Sequence, residues 1–468
     1  MLPFDDVLAG VGTHTLPYAS APGLVFSDVT NDSRLVSPGA LFVALVAERD
    51  GHDFIRDAHR RGARGVLAER PIPLDDWLPL AERPGFAYIV VDSSLKALQR
   101  LGAYWRSRHP IRVVGVTGSV GKTTTKEMIA TVLAQRFGVL KNDKNMNNEI
   151  GLPLTLLKLT GEHQRAVLEM GMYSLGEIAL LCQLSNPDIG VVTNVSHSHL
   201  ERLGTIDGIA QAKSELVKAL PTNGVAILNG DESLVREMRS LAAGQVILFG
   251  TRAGCHVRAR SIVSRGLQGL EFELVHRGRS LDVRTPLLGK HSVYACLAAA
   301  AVGFVDGLSL AEIAEGLRKP PSTIRVRAAP GKNGSVVIDD TYNASPLSTI
   351  AALDLVSQMP GRRIAVLGDM LELGSYEEQG HRDVGRRAAL TVHKLIVVGR
   401  RARWIGEEAL AMGLGDVESC ESNSQVSVEL RPGDFVLVKG SRGARMEEIV
   451  ARLQETPEQE SGRNEQGI

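Results

Sequence analysis

Gly118-Ser119-Val120-Gly121-Lys122-Thr123-Thr124 gathers glycines, a lysine and hydroxyls into one short stretch. Glycines let backbone N–H groups curl around phosphate oxygens, and Lys122 adds a full positive charge. Thr123 can place its hydroxyl on Mg²⁺, and a helix beginning at the loop would add the partial positive charge of its N-terminus. The strict phosphate-loop pattern wants glycine five residues before Gly121, where this chain has Val116, so the form here is the shorter Gly-x-x-Gly-Lys-Thr. The bland alternative is a glycine turn that merely packs a helix on a strand. With an apolar run, Val113-Val114-Gly115-Val116, before it and Met128, Ile129, Val132 and Leu133 at helical spacing after it, the loop predicts triphosphate binding.

Three more residues could do chemistry nearby. Glu169 ends the run Ala166-Val167-Leu168, and His199 follows Thr193-Asn194-Val195-Ser196. A carboxylate and an imidazole are both possible partners for a Mg²⁺ site, the carboxylate being the more usual. Read alone, Glu169 could be an exposed strand-end acid, and His197 or His199 a solvated loop histidine. A zinc site built from the two histidines would need ligands that the local sequence does not offer. Lys213 sits beside the stripe Ile209, Ala212, Leu216, Leu220 and by itself reads as a lysine lying along its own helix.

The surrounding pattern supplies the elements that must hold these groups. From Arg112 the chain repeats strand, loop, helix, with short apolar runs at 113–116, 166–170, 189–193, 225–228 and 246–249. Such runs alternating with helices predict a parallel sheet covered on both faces, with ligands beyond the carboxyl ends of its strands. Residues 270–284 alternate and predict a small antiparallel addition. After Pro320-Pro321 the pattern restarts at 336–338, 364–367, 395–398 and 435–438. The first hundred or so residues read as a small mixed unit, with strands near 41–45, 65–68 and 88–91 and a helix over 94–106. The expected fold is α/β in three domains. These are a small mixed α/β N-terminal domain (1–109), a central phosphate-loop domain on a parallel sheet (110–320) and a Rossmann-like α/β C-terminal domain (321–454). Residues 455–468 are polar and predict a disordered tail.

Composition narrows the classes. Lys+Arg and Asp+Glu are equal at 53 each, against the basic excess of a nucleic-acid coat. Cys182, Cys255, Cys296 and Cys420 form no CxxC pair, so no disulfide framework or zinc finger is expected, and a reducing cytoplasm is the natural setting. No uncharged apolar run approaches the roughly 18 residues needed to span a bilayer, and the N-terminus lacks the order of a signal peptide.

Longer motifs extend the reading. Residues 117–126, Asn145-Met146-Asn147-Asn148-Glu149-Ile150-Gly151-Leu152-Pro153 and Leu168-Glu169-Met170-Gly171-Met172 resemble the Mur ligase family. So do Asp339-Asp340-Thr341-Tyr342-Asn343-Ala344-Ser345-Pro346, residues 366–374 and Val438-Lys439-Gly440-Ser441-Arg442. Asp32-Ser33-Arg34 and Asp50-Gly51-His52 carry the resemblance into the first domain. It covers nearly the whole chain, and the segment over 145–153 favours the dipeptide-adding member over sisters that add one amino acid.

The resemblance implies an ATP- and Mg²⁺-dependent cytoplasmic ligase of peptidoglycan synthesis. Its substrates would be UDP-N-acetylmuramoyl-tripeptide and D-alanyl-D-alanine, and it would act as a monomer without nucleic acid or membrane insertion. By the same resemblance Gly118, Ser119, Val120, Gly121, Lys122, Thr123 and Thr124 hold ATP, with Arg325 and Asp340 at the domain junction. Thr123, Glu169, His199 and a carbamate on Lys213 serve Mg²⁺, and Lys122, Lys213 and His199 are the catalytic set. Ser33, Arg34, Asn147 and Asn148 fall in the region that holds the uridine-linked substrate. One departure stands out: where the family usually has two asparagines after Gly289-Lys290-His291, this chain has Ser292 and Ala295. The second asparagine usually lies near the adenine.

Overall fold

The computed structural model describes residues 1–18, 23–73, 85–143, 145–197, 200–321, 323 and 326–454. His199, Arg325 and the tail expected over 455–468 lie outside these residues.

The central sheet has nine strands. Six form its parallel body, in the spatial order Val139–Lys141, Arg165–Glu169, Arg112–Thr117, Ile189–Val192, Val225–Asn229 and Gln245–Gly250. Val257–Ser264 joins the far edge in parallel, and Leu270–His276 and Arg279–Thr285 continue it as antiparallel ribbons, as the alternation at 270–284 predicts. The strand Val225–Asn229 is buried at every residue, because helices cover both faces and leave no polar side to the pleat. Lys122–Leu133 and the almost wholly apolar Val293–Val305 cover one face. Glu177–Ser185 and Ile206–Lys218 cover the other.

The C-terminal part builds a second, six-stranded sheet in the order Arg327–Gly331, Ser335–Asp340, Phe435–Lys439, Arg363–Gly368, Lys394–Val398, Val417–Cys420. All neighbours are parallel except the first pair. The N-terminal part carries a five-stranded sheet, His14–Tyr18, Ala87–Val91, Gly65–Ala68, Leu41–Val43 and Val29–Thr30, and a two-stranded pair, Leu2–Pro3 with Val25–Phe26. Here Asp50-Gly51-His52 is a folding staple. The buried His52 ring meets Asp50 at 2.6 Å through Nδ1 and accepts the Glu69 N–H at 3.0 Å through Nε2. A Cβ on Gly51 would stand 2.6 Å from the Leu45 backbone nitrogen.

Strands absent from the sequence reading are Leu2–Pro3, His14–Tyr18, Val25–Phe26, Val29–Thr30, Val139–Lys141, Val257–Ser264, Arg327–Gly331 and Val417–Cys420. They are short or half-exposed, or lie at sheet margins, and so lack the unbroken apolar runs of central strands. Among the described residues no helix is long and apolar enough to cross a membrane. All four cysteines are free.

Candidate functional site

The carboxyl ends of both parallel sheets face one cleft, with a cavity volume of about 430 Å³. Residues 118–122, Glu169, Asn194 and Lys213 form its central-domain wall, and Asp340, residues 342–345, 371–373 and Lys439 form the opposite wall.

The phosphate loop is set by backbone conformations that demand glycine. Gly118 has φ +148° and Gly121 φ +82°, and a Cβ on Gly118 would stand 1.9 Å from the Thr193 hydroxyl oxygen. The strand-end loop after Ile189–Val192 braces it. Asn194 Oδ1 accepts the Val120 N–H at 2.9 Å, Thr193 Oγ1 donates to the Val120 carbonyl at 2.8 Å, and Ser119 Oγ accepts the Ser196 N–H at 2.9 Å. Lys122 Nζ donates to the carbonyls of Gly118 at 2.8 Å and Ser119 at 3.3 Å, so its charge lies across the loop. The helix Lys122–Leu133 begins at the loop, which adds the partial positive charge of its N-terminus there.

Glu169 is not the exposed acid of the bland reading; only 1% of it is accessible. Thr123 Oγ1 donates to one carboxylate oxygen at 2.7 Å and Asn147 Nδ2 to the other at 2.9 Å. Hydroxyl, carboxylate and amide oxygens suit a hard divalent cation, so the donor chemistry fits Mg²⁺.

Lys213 does not lie along the outside of its helix. It is 1% exposed and lines the cleft, and no ion pair reaches it from the described residues. Burial, and then the Lys122 charge, hold its ammonium well below the ordinary lysine range. A lysine held below its ordinary range gives up its proton more readily, and the free amine is the form that carbamate formation needs.

The structure brings together Gly118, Ser119, Val120, Gly121, Lys122, Thr124, Asn147, Asn148, Glu169, Lys213 and Asp340 along this cleft, with Thr123 behind Glu169. Ser33 and Arg34 lie elsewhere, on a 3₁₀ turn of the N-terminal unit capped by Asp32. Ser33 is buried there, and Arg34 is exposed and paired to Asp32 at 2.6 Å. Ser292 and Ala295 do line the cleft, on one face of their helical segment. Ser292 Oγ donates to the Leu288 carbonyl at 2.7 Å, and Tyr294 beside them is held by Asp231 at 3.0 Å.

Sequence reasoning missed three features. His197 stacks on Tyr376 of the C-terminal unit, with ring centroids 4.2 Å apart and planes 26° from parallel, so it is not a solvated loop histidine. Beside it Gly374, at φ +53°, approaches so closely that a Cβ would meet the Glu201 backbone nitrogen at 2.9 Å. Burial and then Asp383 push the Tyr376 phenol up to about 12, so it stays protonated. Lys439 is buried and pairs with Asp340 at 2.6 Å on the cleft's far wall. His291 also lines the cleft. Tyr376 and His291 carried no local signal, because their partners come from distant chain segments. Lys439 was visible only as part of a motif.

The same arrangement has relatives. The Mur ligase middle domain matches residues 116–303 and the Mur ligase, glutamate ligase domain matches 325–442. The UDP-N-acetylmuramoyl-tripeptide–D-alanyl-D-alanine ligase of Escherichia coli (strain K12) is 37% identical, over 91% of this chain and 93% of that one. A crystal structure of MurF from Acinetobacter baumannii aligns with TM-score 0.83 and 32% identity, over 96% of this chain and 98% of that one. The MurF ligase of Thermotoga maritima in complex with ADP aligns with TM-score 0.76 and 29% identity, over 91% of this chain and 96% of that one. By sequence, fold and cleft alike, the chain belongs to the Mur ligase family.

Proposed function

We propose that this chain is an ATP-dependent ligase that joins D-alanyl-D-alanine to UDP-N-acetylmuramoyl-tripeptide, releasing ADP and phosphate. The observation that carries the reading is the meeting, in one cleft, of the phosphate loop, the gripped Glu169 carboxylate and the buried Lys213, which no ion pair reaches from the described residues. It acts as a cytoplasmic monomer. Residues 1–109 hold the uridine end of the substrate through the Ser33–Arg34 region, 110–320 bind ATP, and 321–454 close the cleft.

A carboxylate resists acylating an amine because its oxygen is a poor leaving group. Transfer of the γ-phosphoryl group to the tripeptide carboxylate converts that oxygen into phosphate. Lys122 and the loop N–H groups orient the phosphates and offset the charge that spreads over the transferring group. Thr123, Glu169, His199 and the carbamate of Lys213 would hold Mg²⁺, which supplies further charge neutralisation when bound. The dipeptide amine then attacks the acyl carbon, the tetrahedral intermediate collapses, and phosphate leaves. Asp340 and the C-terminal wall exclude water from the acyl phosphate meanwhile.

Phosphate release is measured with the tripeptide alone, the dipeptide alone and both together, with lysine- and diaminopimelate-containing tripeptides in parallel. Ligation requires release that depends on both substrates and is abolished in Lys122→Ala at unchanged fold. A nucleotide switch would be indifferent to the dipeptide, and that result would overturn the reading.

A further inference from the structure

The edge strand Val139–Lys141 stops two residues short of the end of its neighbour. Its register with Arg165–Glu169 ends at Lys141 opposite Val167, so no strand backbone remains to pair with the outer side of Glu169. The next residue, Asn142, fills that gap with its side chain. Asn142 Oδ1 accepts the Glu169 N–H at 2.8 Å, and Nδ2 donates to the Glu169 carbonyl at 2.9 Å. A primary amide offers the same donor and acceptor as a peptide unit, so one side chain completes the ladder where the chain itself turns away.

The second proton of Nδ2 goes to the Met146 carbonyl at 2.8 Å. Met146 immediately precedes Asn147, whose amide grips the Glu169 carboxylate at 2.9 Å. Gly171 closes the circuit: its N–H donates to the Asn147 carbonyl at 2.9 Å, and a Cβ there would press on the Asn147 amide at 3.1 Å. Asn142 is itself 1% exposed, and its own carbonyl accepts from the buried Lys126 ammonium, which is ion-paired to Glu127 at 3.1 Å. The amide thus has its oxygen and both its protons engaged, a state that fixes one orientation of the group.

We propose that Asn142 is a positioning residue for the divalent-cation site: it locks the Glu169 backbone and the Asn147 loop into one unit, so that the carboxylate is presented in a single orientation. This rests on reading Glu169 as a cation ligand. Groups that hold a metal ligand in place typically contribute about 10–100-fold to metal affinity. The chemistry concerned is that of a hard cation beside a nucleotide phosphate, for which Mn²⁺ is a spectroscopic substitute.

The test measures Mn²⁺ binding to the full-length enzyme with ADP, by electron paramagnetic resonance and without turnover, alongside the Mg²⁺ concentration for half-maximal phosphate release. Asn142→Ala is expected to weaken Mn²⁺ binding by about tenfold or more and to raise the Mg²⁺ requirement in parallel. Asn142→Asp keeps the volume and the acceptor for Glu169 N–H but loses both donors. It serves where the alanine variant does not fold, and it is expected to weaken Mn²⁺ binding at a far-ultraviolet spectrum like that of the parent. A folded variant that melts lower yet binds Mn²⁺ as tightly as the parent would overturn the proposal and leave Asn142 as a structural staple. Absence of Mn²⁺ binding in the unaltered enzyme with ADP would instead refute Glu169 as a cation ligand.

Discussion

Two lysines are buried almost equally in the walls of the cleft, Lys213 in the central unit at 1% exposure and Lys439 in the C-terminal unit at 2%. Their surroundings differ completely. Lys439 Nζ meets the Asp340 carboxylate at 2.6 Å and donates to the Asn343 carbonyl at 2.8 Å. Lys213 has no carboxylate partner among the described residues, and beyond its burial the charge that acts on it is another cation, Lys122. A buried ammonium with a paired anion is stable where it is, whereas one facing a like charge gives up its proton. The first arrangement makes a rigid wall and the second makes a reactive amine.

The sharpest way to break this comparison is to remove each lysine. Lys213→Ala should lower kcat by roughly 10³-fold, the scale of losing a preorganised charged group, with partial rescue by small carboxylic acids. Its effect on stability has the opposite sign. In CO₂-free buffer the unfolded chain holds a proton at Lys213 up to its ordinary pKa of about 10.4, while the folded chain loses it at lower pH. Stability therefore rises with pH through that window, and at neutral pH the burial of Lys213 costs free energy. Lys213→Met should melt higher than the parent at pH 7, with the advantage vanishing above about pH 10.5. A lower melting temperature at pH 7 would mean that the amine is paired and charged.

Lys439→Met sharpens the contrast from the other side. Removing one member of a buried pair strands its partner, so this variant should lose about 3–5 kcal/mol in denaturant unfolding. A loss no larger than that of an exposed pair would place the Lys439 wall in solvent.

The sequence showed these two lysines unequally, and the reason is physical. The phosphate loop was readable because its chemistry is local: strand, glycines, lysine and helix are contiguous, and Gly118 and Gly121 have the conformations such a turn requires. Lys213 was ambiguous because helical spacing shows which stripe a residue borders but not how deep it lies. Its reactivity comes from that burial and then from Lys122, far away in sequence. Asn142 was passed over for the same reason, since it follows a strand of three residues and bonds to a backbone 27 positions on. His197 and Tyr376 meet only once the domains are placed.

That stack is one direct link between the two units, and its removal should have a moderate effect. His197 adjoins Ser196, which is hydrogen-bonded to Ser119 of the phosphate loop. Tyr376→Ala should raise the KM for ATP by roughly 2–10-fold, matching an aromatic pair of about 0.5–1.5 kcal/mol. Tyr376→Phe, which keeps the ring and loses only the bond to Asp383, should stay near the parent. Equal defects in both variants would assign the effect to the hydroxyl and sever the link between the walls.

The smallest effect is expected at Ala295, where this chain departs from the asparagine its family usually carries near the adenine. Ala295 lies on the cleft at 6% exposure, three residues after Ser292, whose hydroxyl is spent on the Leu288 carbonyl. The Ala295 side chain therefore offers a base no hydrogen bond, and the Ser292 hydroxyl proton is already committed. Ala295→Asn should lower the KM for ATP by about 2–10-fold, the value of one net hydrogen bond of roughly 0.5–1.5 kcal/mol, with kcat unchanged. The split follows from the position. A contact to the base is made equally in the ground and transition states, so it changes binding without touching phosphoryl transfer. A fall in kcat instead would show that the added volume pushes the helix against the cleft and disturbs the wall that Lys213 shares.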